Sequence, residues 1–248
     1  TLRDALTGLE VILSYSVFED FDAIAKSVKI KNLTGQNVRL KSAISSTTYV
    51  FDKRFEFVHL AGAWARERHI QREPLTSGNI SADSKRVSTS HQHSPFMALA
   101  RPETTENAGE VYGYSLVYSG NFIAQADVGA YDLTRLNMGI NPFGFNWLLE
   151  DGEEFCTPEV ISVYSANGFG EMSRSFHRLY RNRLCRGKWR DIERPVLINN
   201  WEATYFDFNE EKILNIAKKA QSLGVELMVL DDGWFGKRED DNSSLGDW

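Results

Sequence analysis

The chain has 248 residues, of which 42% are hydrophobic and 25% charged, and its formal net charge is −6. That is enough apolar material for one large domain or two ordinary ones. The acidity is local, since residues 225–248 include seven acidic side chains and two basic ones. We expect no nucleic-acid partner, because such binding requires a basic surface. We also expect no membrane span, since no run approaches the roughly 18 apolar residues needed.

The cysteine usage favours a reducing compartment. Cys156 and Cys185 share no motif spacing with each other or with a histidine. They could pair in a secreted protein, but we predict two buried free thiols, which fits a cytoplasmic location. The first four residues show no signal-peptide pattern, so any targeting signal is expected upstream of this chain.

The chain as far as about residue 165 is rich in predicted β-strands. Short apolar or alternating stretches separated by turn residues predict strands at 11–18, 25–30, 38–44 and 111–118. No long segment with helical periodicity occurs here, so the pattern predicts a β-sandwich. The polar residues 77–93 predict a long exposed loop.

The pattern then becomes helical. Apolar residues recur at helical spacing within 170–186, and Gly187 follows as a C-terminal cap, which predicts a helix that links two domains. We therefore place a β-sandwich domain at 1–170 and a second domain at 171–248.

The second domain has the pattern of one βαβ unit. Strands are predicted at 195–201 and 225–230, with a helix at 210–223 capped by Asn209 between them. Such a unit implies parallel strands in a right-handed connection. One unit cannot close or cover a sheet, so a longer protein is expected to continue past Trp248.

The residues with chemical potential follow the two predicted parallel strands. Residues 199–202 (NNWE) and 231–234 (DDGW) combine aromatic rings with carboxylate or amide groups, and such strand ends converge on one face of a parallel sheet. A sugar site needs this combination, since a ring stacks on the apolar face of the sugar while acceptors bind its hydroxyls. The alternative is that Asp-Asp-Gly simply forms a turn with an Asx cap.

Longer motifs decide between these alternatives by resemblance. Residues 199–208 (NNWEATYFDF), 230–236 (LDDGWFG) and 244–248 (SLGDW) closely resemble the α-galactosidases of glycoside hydrolase family 36. Residues 60–69 (LAGAWARERH), 137–143 (NMGINPF) and 155–160 (FCTPEV) are similar to the N-terminal domain of that family. The resemblance extends nearly from end to end.

The resemblance implies an architecture and a binding role. It implies a β-supersandwich followed by the first βαβ unit of a (β/α)8 TIM barrel, in a bacterial cytoplasmic enzyme that forms a homo-tetramer. Asp231 and Asp232 resemble the pair that accepts hydrogen bonds from the 4- and 6-hydroxyls of galactose, and Trp201 resembles an aromatic wall of the same subsite. A carboxylate directed at the axial 4-hydroxyl would select galactose over glucose.

The same resemblance places the catalytic carboxylates outside the chain. The nucleophile and acid/base Asp of the family have no counterpart here, and a retaining glycosidase needs two carboxyls about 5 Å apart on opposite sides of the scissile bond. Asp231 and Asp232 are neighbours on one strand end and do not suit those roles. The chain alone is expected to be inactive, and no cofactor is expected.

Three other constellations are weaker. His91 and His93 could bind a metal, but no third ligand is nearby in the sequence, so we interpret them as part of a solvated loop and expect no metal. Residues 239–242 (EDDN) lack the pattern of a calcium loop and predict a solvated turn. For residues 66–68 (RER) we favour a structural ion-pair ladder over a ligand site.

The sequence thus predicts a fragment of a retaining α-galactosidase that acts on terminal α-linked galactose of melibiose- or raffinose-type oligosaccharides. One alternative is an α-N-acetylgalactosaminidase or galactosyl-transferring enzyme on the same scaffold. Another alternative is a non-catalytic carbohydrate-binding or assembly module, which the appended βαβ unit disfavours.

Overall fold

The computed structural model describes all residues, 1–248, and the chain divides into two compact units. The first unit is Thr1–Leu184 and the second is Cys185–Trp248. The predicted boundary between 170 and 171 concerns domains and stays a prediction. None of the helices is both long and apolar enough to cross a bilayer.

The first unit is built from antiparallel strands. Its strands are Leu2–Arg3 (β1), Leu9–Phe18 (β2), Ala23–Asn32 (β3), Val38–Leu40 (β4), Ile44–Val50 (β5), Glu56–Ala63 (β6), Arg66–Pro74 (β7), Gly78–Asp83 (β8), His93–Ala100 (β9), Val111–Leu116 (β10), Phe122–Val128 (β11), Thr134–Ile140 (β12), Trp147–Leu149 (β13), Glu154–Cys156 (β14) and Val160–Ser165 (β15). A 3-10 turn at Glu19–Phe21 lies between β2 and β3.

Two sheets face each other across the main core. The larger sheet has the order β1-β2-β3-β15-β10-β9-β6-β7, with β14 also paired to β3, and the smaller has the order β5-β12-β11-β8. Side chains of β11 alternate strictly between buried and partly buried, because one face of the strand packs inward and the other faces solvent. Phe57, Phe122 and Met138 lie in the fully buried core between the sheets. The predicted β-sandwich is confirmed, and all of its strand pairs are antiparallel.

A helix covers the second face of the larger sheet. Helix α1 spans Gly168–Leu179 and continues into a π-helical turn at Tyr180–Leu184. Met172, Phe176 and Leu179 project from α1 into a second buried cluster that also contains Val58 and Val111 of the sheet. The helix predicted within 170–186 is therefore present, with its apolar stripe against the sheet.

The second unit contains the predicted βαβ arrangement. Its strands are Leu197–Asn199 (β16) and Leu227–Val229 (β17), its helices are Trp201–Thr204 (α2) and Glu210–Ser222 (α3), and a 3-10 turn spans Lys188–Arg190. Strands β16 and β17 pair in parallel, as predicted. The side chain of Asn209 caps α3 by accepting a hydrogen bond from the Lys212 amide at 3.0 Å. Strand β16 ends at Asn199, so Trp201 begins a one-turn helix rather than ending a strand.

Three sequence predictions about the first unit and the cysteines are wrong. The segment 77–93 is not a continuous loop, because Gly78–Asp83 forms the edge strand of the smaller sheet with Ala82 buried. Cys156 and Cys185 are free but exposed, not buried. Residues 66–68 form no ion pair; the β6–β7 hairpin is bridged instead by Arg72 with Glu56 at 2.6 Å and by His59 with Glu73 at 3.1 Å.

A large cavity lies in the first unit. It has a volume of about 720 Å³ and is bounded by α1 and the larger sheet, with Val58, Phe96, Phe169 and Phe176 among its apolar lining. It contains none of the residues that the sequence proposes for sugar binding.

Candidate functional site

The predicted site residues all lie in the second unit, directly after its two strands. Asp231 and Asp232 follow β17, and Trp201 lies two residues after β16. Because parallel strands end on the same edge of the sheet, the strand pairing brings these two segments together. Trp201 is half-buried and packs edge-on against the rings of Tyr205 and Phe206, with centroids 5.3 and 4.9 Å away.

Two asparagines hold the strand ends together. The Asn199 side chain donates from Nδ2 to Asp231 Oδ2 at 2.6 Å and accepts at Oδ1 from the Trp201 amide at 2.7 Å. Asn200 is fully buried and accepts at Oδ1 from the Asp231 amide at 2.8 Å. Asn199 therefore links Trp201 to Asp231 through one amide side chain.

Asp232 has a different environment from Asp231. Its Oδ1 accepts from the Gly233 amide at 2.8 Å and from Arg238 Nε at 2.9 Å, and its Oδ2 accepts from Arg238 Nη2 at 2.8 Å. The hydrogen bond from Arg238 lowers the pKa of Asp232, so this carboxylate stays ionised under acidic conditions in which a free aspartate takes up a proton. The side chain is part-exposed, so it is accessible from solvent.

The backbone after Asp232 requires a glycine. Gly233 has a φ of +89°, and a Cβ atom at this position would lie 3.1 Å from both the Phe206 and Phe208 rings. Glycine can adopt this left-handed turn, whereas the side chain of any other residue would be crowded by the two rings. After this turn the loop 233–248 folds back toward β17, and the Arg238 guanidinium reaches the Asp232 carboxylate.

The sequence also singles out residues 91–93 and 239–242. The residues His91 and His93 are not part of any group of three or more His, Cys, Asp or Glu that could hold a metal ion. Residues 239–242 form an exposed turn in which Asp240 accepts from the Asn242 amide, in agreement with the sequence prediction.

Sequence reasoning missed one residue of this cluster. Arg238 lies six positions after Asp232 in a strongly acidic segment, and its side chain is only 7% exposed. The sequence shows Arg238 among several acidic residues, but it does not say which carboxylate the side chain meets.

Comparison with known proteins identifies the chain. The glycosyl hydrolase family 36 N-terminal domain matches residues 1–150, and the melibiase domain matches residues 154–248. The chain belongs to glycosyl hydrolase family 36. The two matches meet near the end of the β-sandwich, and the second includes α1 and the whole βαβ unit.

Relatives of this family 36 chain are α-galactosidases. α-Galactosidase AgaA of Geobacillus stearothermophilus is 55% identical over 247 residues, covering 100% of this chain and 34% of AgaA. An α-galactosidase of Lactobacillus acidophilus is 48% identical, again over 100% of this chain and 34% of its own length. The chain therefore spans about a third of the length of these relatives.

Solved structures of such enzymes have the same fold. The crystal structure of the Lactobacillus brevis α-galactosidase superposes with a TM-score of 0.96 at 47% identity, covering 99% of this chain and 33% of that one. The structure of AgaA superposes with a TM-score of 0.95 at 54% identity, covering 99% of this chain and 34% of that one. Variants of AgaA have been solved in complex with stachyose and with raffinose.

Proposed function

We propose that the protein containing this chain is a retaining α-galactosidase that releases terminal α-linked galactose from melibiose- and raffinose-type oligosaccharides. The observation that carries the proposal is the carboxylate pair at the end of β17, held in place by Asn199 and Arg238 in a chain whose relatives are α-galactosidases. The stachyose and raffinose complexes of AgaA support the substrate class.

In this proposal Asp231 and Asp232 accept hydrogen bonds from galactose hydroxyls. A carboxylate offers about four acceptor positions on its two oxygens. Asp231 uses two of these positions, one on Oδ1 for the Asp232 amide and one on Oδ2 for Asn199. Asp232 uses three, one for the Gly233 amide and two for Arg238. Both carboxylates thus keep acceptor capacity for a sugar, and their existing bonds fix the direction in which it points.

Trp201 supplies an apolar wall in the same proposal. Its ring is braced edge-on by Tyr205 and Phe206, which restricts its rotation, and part of its surface stays accessible. A fixed indole beside carboxylates matches a pyranose, which has an apolar C–H face and polar edges.

We further propose that this chain alone does not hydrolyse galactosides. Retaining hydrolysis needs a nucleophile and an acid/base about 5 Å apart on opposite sides of the bond. Asp231 and Asp232 follow the same strand, and the Asp232 amide donates to Asp231 Oδ1 at 2.7 Å, so the two side chains start from one side. Their role is recognition, and the catalytic pair is assigned to the remainder of the full-length protein.

The test measures kcat/KM of the full-length protein on melibiose and on an aryl α-galactoside. Asp231→Asn and Asp232→Asn should each lower kcat/KM by roughly 10- to 150-fold, because a charge-assisted hydrogen bond to a hydroxyl contributes about 1.5–3 kcal/mol. Glu239→Gln is the matched control, since Glu239 is exposed in the same loop and its carboxylate has no hydrogen-bond partner. The purified chain 1–248 should show no turnover.

Two results would contradict the proposal. If both Asp variants kept wild-type kcat/KM with unchanged melting temperatures, the pair would be a turn cap, because Asn caps turns as well as Asp. Turnover by the chain 1–248, with contaminating enzyme excluded, would mean that the catalytic carboxylates lie within it.

A further inference from the structure

The guanidinium of Arg238 is buried and every one of its nitrogens is engaged. Nε and Nη2 donate to the two oxygens of Asp232 at 2.9 and 2.8 Å, and Nη1 donates to the Ser243 carbonyl at 2.9 Å. The plane lies over the Phe206 ring, with Cζ 5.7 Å from the centroid. Only 7% of the side chain is exposed, so Arg238 is not available to a ligand itself.

We infer that Arg238 is a positioning residue for galactoside recognition: its two-point contact holds the carboxylate of Asp232 in the one orientation that accepts a sugar hydroxyl. The inference rests on the proposed function of Asp232 in the second unit. In this role Arg238 acts through Asp232 and does not touch the sugar.

The geometry explains why a second residue is needed. Asp232 lies at the start of a loop, and without a partner its carboxylate rotates about χ2 and is solvated in many orientations. A bidentate guanidinium fixes both oxygens in one plane, which a single ammonium does not do. Arg238 also joins Asp232 to the Ser243 carbonyl, so the same contact closes loop 233–243 around the carboxylate.

Phe206 connects the Arg238–Asp232 ion pair to the aromatic part of the site. Its ring packs against Trp201 on one side, with centroids 4.9 Å apart, and lies beneath Arg238. The guanidinium therefore rests on the ring that braces the proposed apolar wall. Arg238 and Phe206 consequently fix the position of the Asp232 carboxylate relative to the Trp201 ring.

The test is a double-mutant cycle in the full-length protein, with kcat and KM measured on an aryl α-galactoside. Arg238→Met should lower kcat/KM by about 10-fold, mainly through KM, and Arg238→Lys by less because one charge remains. In an Asp232→Asn background, Arg238→Met should cost at most about 2-fold more, because the carboxylate that it positions is already gone.

Deoxy substrates separate positioning from a general loss of loop structure. The 4-deoxy and 6-deoxy analogues each lack one hydroxyl that the carboxylate pair is proposed to bind. On the analogue that lacks the hydroxyl bound by Asp232, Arg238→Met should have nearly the same kcat/KM as the unsubstituted protein. On the other analogue, Arg238→Met should still lower kcat/KM. If the variant simply disordered the loop, both analogues would suffer equally, and the inference would be wrong.

The remaining outcomes are also decisive. Wild-type kcat/KM in Arg238→Met, or additive losses in the cycle, would overturn the inference while leaving Asp232→Asn to test the proposed function. If Asp232→Asn had no effect, the role of Asp232 and the inference built on it would both fail. Should Arg238→Met not fold, as judged by its melting curve, the cycle is run with Arg238→Lys, whose additivity with Asp232→Asn decides in the same way.

Discussion

His59 and His93 lie side by side on the neighbouring strands β6 and β9. Their ring centroids are 5.6 Å apart, and neither ring has a hydrogen-bond partner for its buried Nδ1 atom. His59 reaches Glu73 through Nε2 at 3.1 Å. Burial lowers the pKa of His93, and a positive charge on His59 would lower it further, while Asp83 acts in the opposite direction.

At the residue scale, this predicts an acid-sensitive first unit. A histidine with a lowered pKa in the folded state binds protons more readily when unfolded, so its contribution to stability is lost as the pH falls below its ordinary value of 6.5. His93→Gln removes this titration. Urea unfolding should show that wild type loses more unfolding free energy than His93→Gln on going from about pH 7.5 to about pH 5.

His91 provides the matched control for that measurement. It is exposed, and His91→Gln should leave the pH dependence as in wild type. The same pH dependence in wild type and His93→Gln would mean that His93 does not set this sensitivity.

At the element scale, the contact between α1 and the larger sheet depends on a missing side chain. Gly113 lies in β10 beneath the helix, and a Cβ atom there would approach the Met172 sulfur to 2.5 Å and the Phe176 ring to 2.7 Å. The helix can pack this closely because β10 has no side chain at that point. Phe176 also contacts Phe96 edge-on, with centroids 6.2 Å apart, which continues the packing onto β9.

We predict that Gly113→Val destabilises the chain by about 1–3 kcal/mol, because extra methyl groups force the helix away from the sheet. The free energy of unfolding in urea measures this. Gly129→Ala is the control, since its nearest neighbour would be the Leu133 carbonyl oxygen at 3.7 Å, an ordinary contact. Equal stability of Gly113→Val and wild type would show that α1 is not tightly docked on β10.

At the scale of the whole molecule, both units expose apolar side chains. Leu197 and Leu227 are register partners on β16 and β17, and they are 52% and 41% exposed. In the first unit, Leu13, Tyr15 and Val17 alternate along β2 and are also exposed. Contiguous apolar surfaces of this kind are typical of interaction sites or of association between copies.

We therefore predict that the chain 1–248 self-associates as its concentration rises, in part through the Leu197–Leu227 pair. Leu227→Lys should reduce the average mass measured by light scattering after size-exclusion chromatography, because a charge opposes burial of the pair. Gln221→Lys adds the same charge on exposed α3 and should leave the association unchanged. A monodisperse monomer for the unsubstituted chain would rule the prediction out.

Local patterns determined a large part of this protein. The alternation of the early segments predicted the β-sandwich, and the run from Asn209 to Gly224 predicted α3 with its cap. The strand-helix-strand order then placed Asn199 and Asp231 on one edge, because parallel strands in such a unit end together. These features follow from short-range periodicity and from chain connectivity, which a single sequence contains.

Only the tertiary structure decided the features that depend on distant partners. Gly78–Asp83 contains few strand-forming residues and becomes a strand because β11 pairs with it. The exposure of both cysteines and the absence of ion pairs at residues 66–68 depend on which side chains the folded chain places nearby. The ion pair between Arg238 and Asp232 depends on a loop that turns at Gly233, and such a contact is set by packing that no local period encodes.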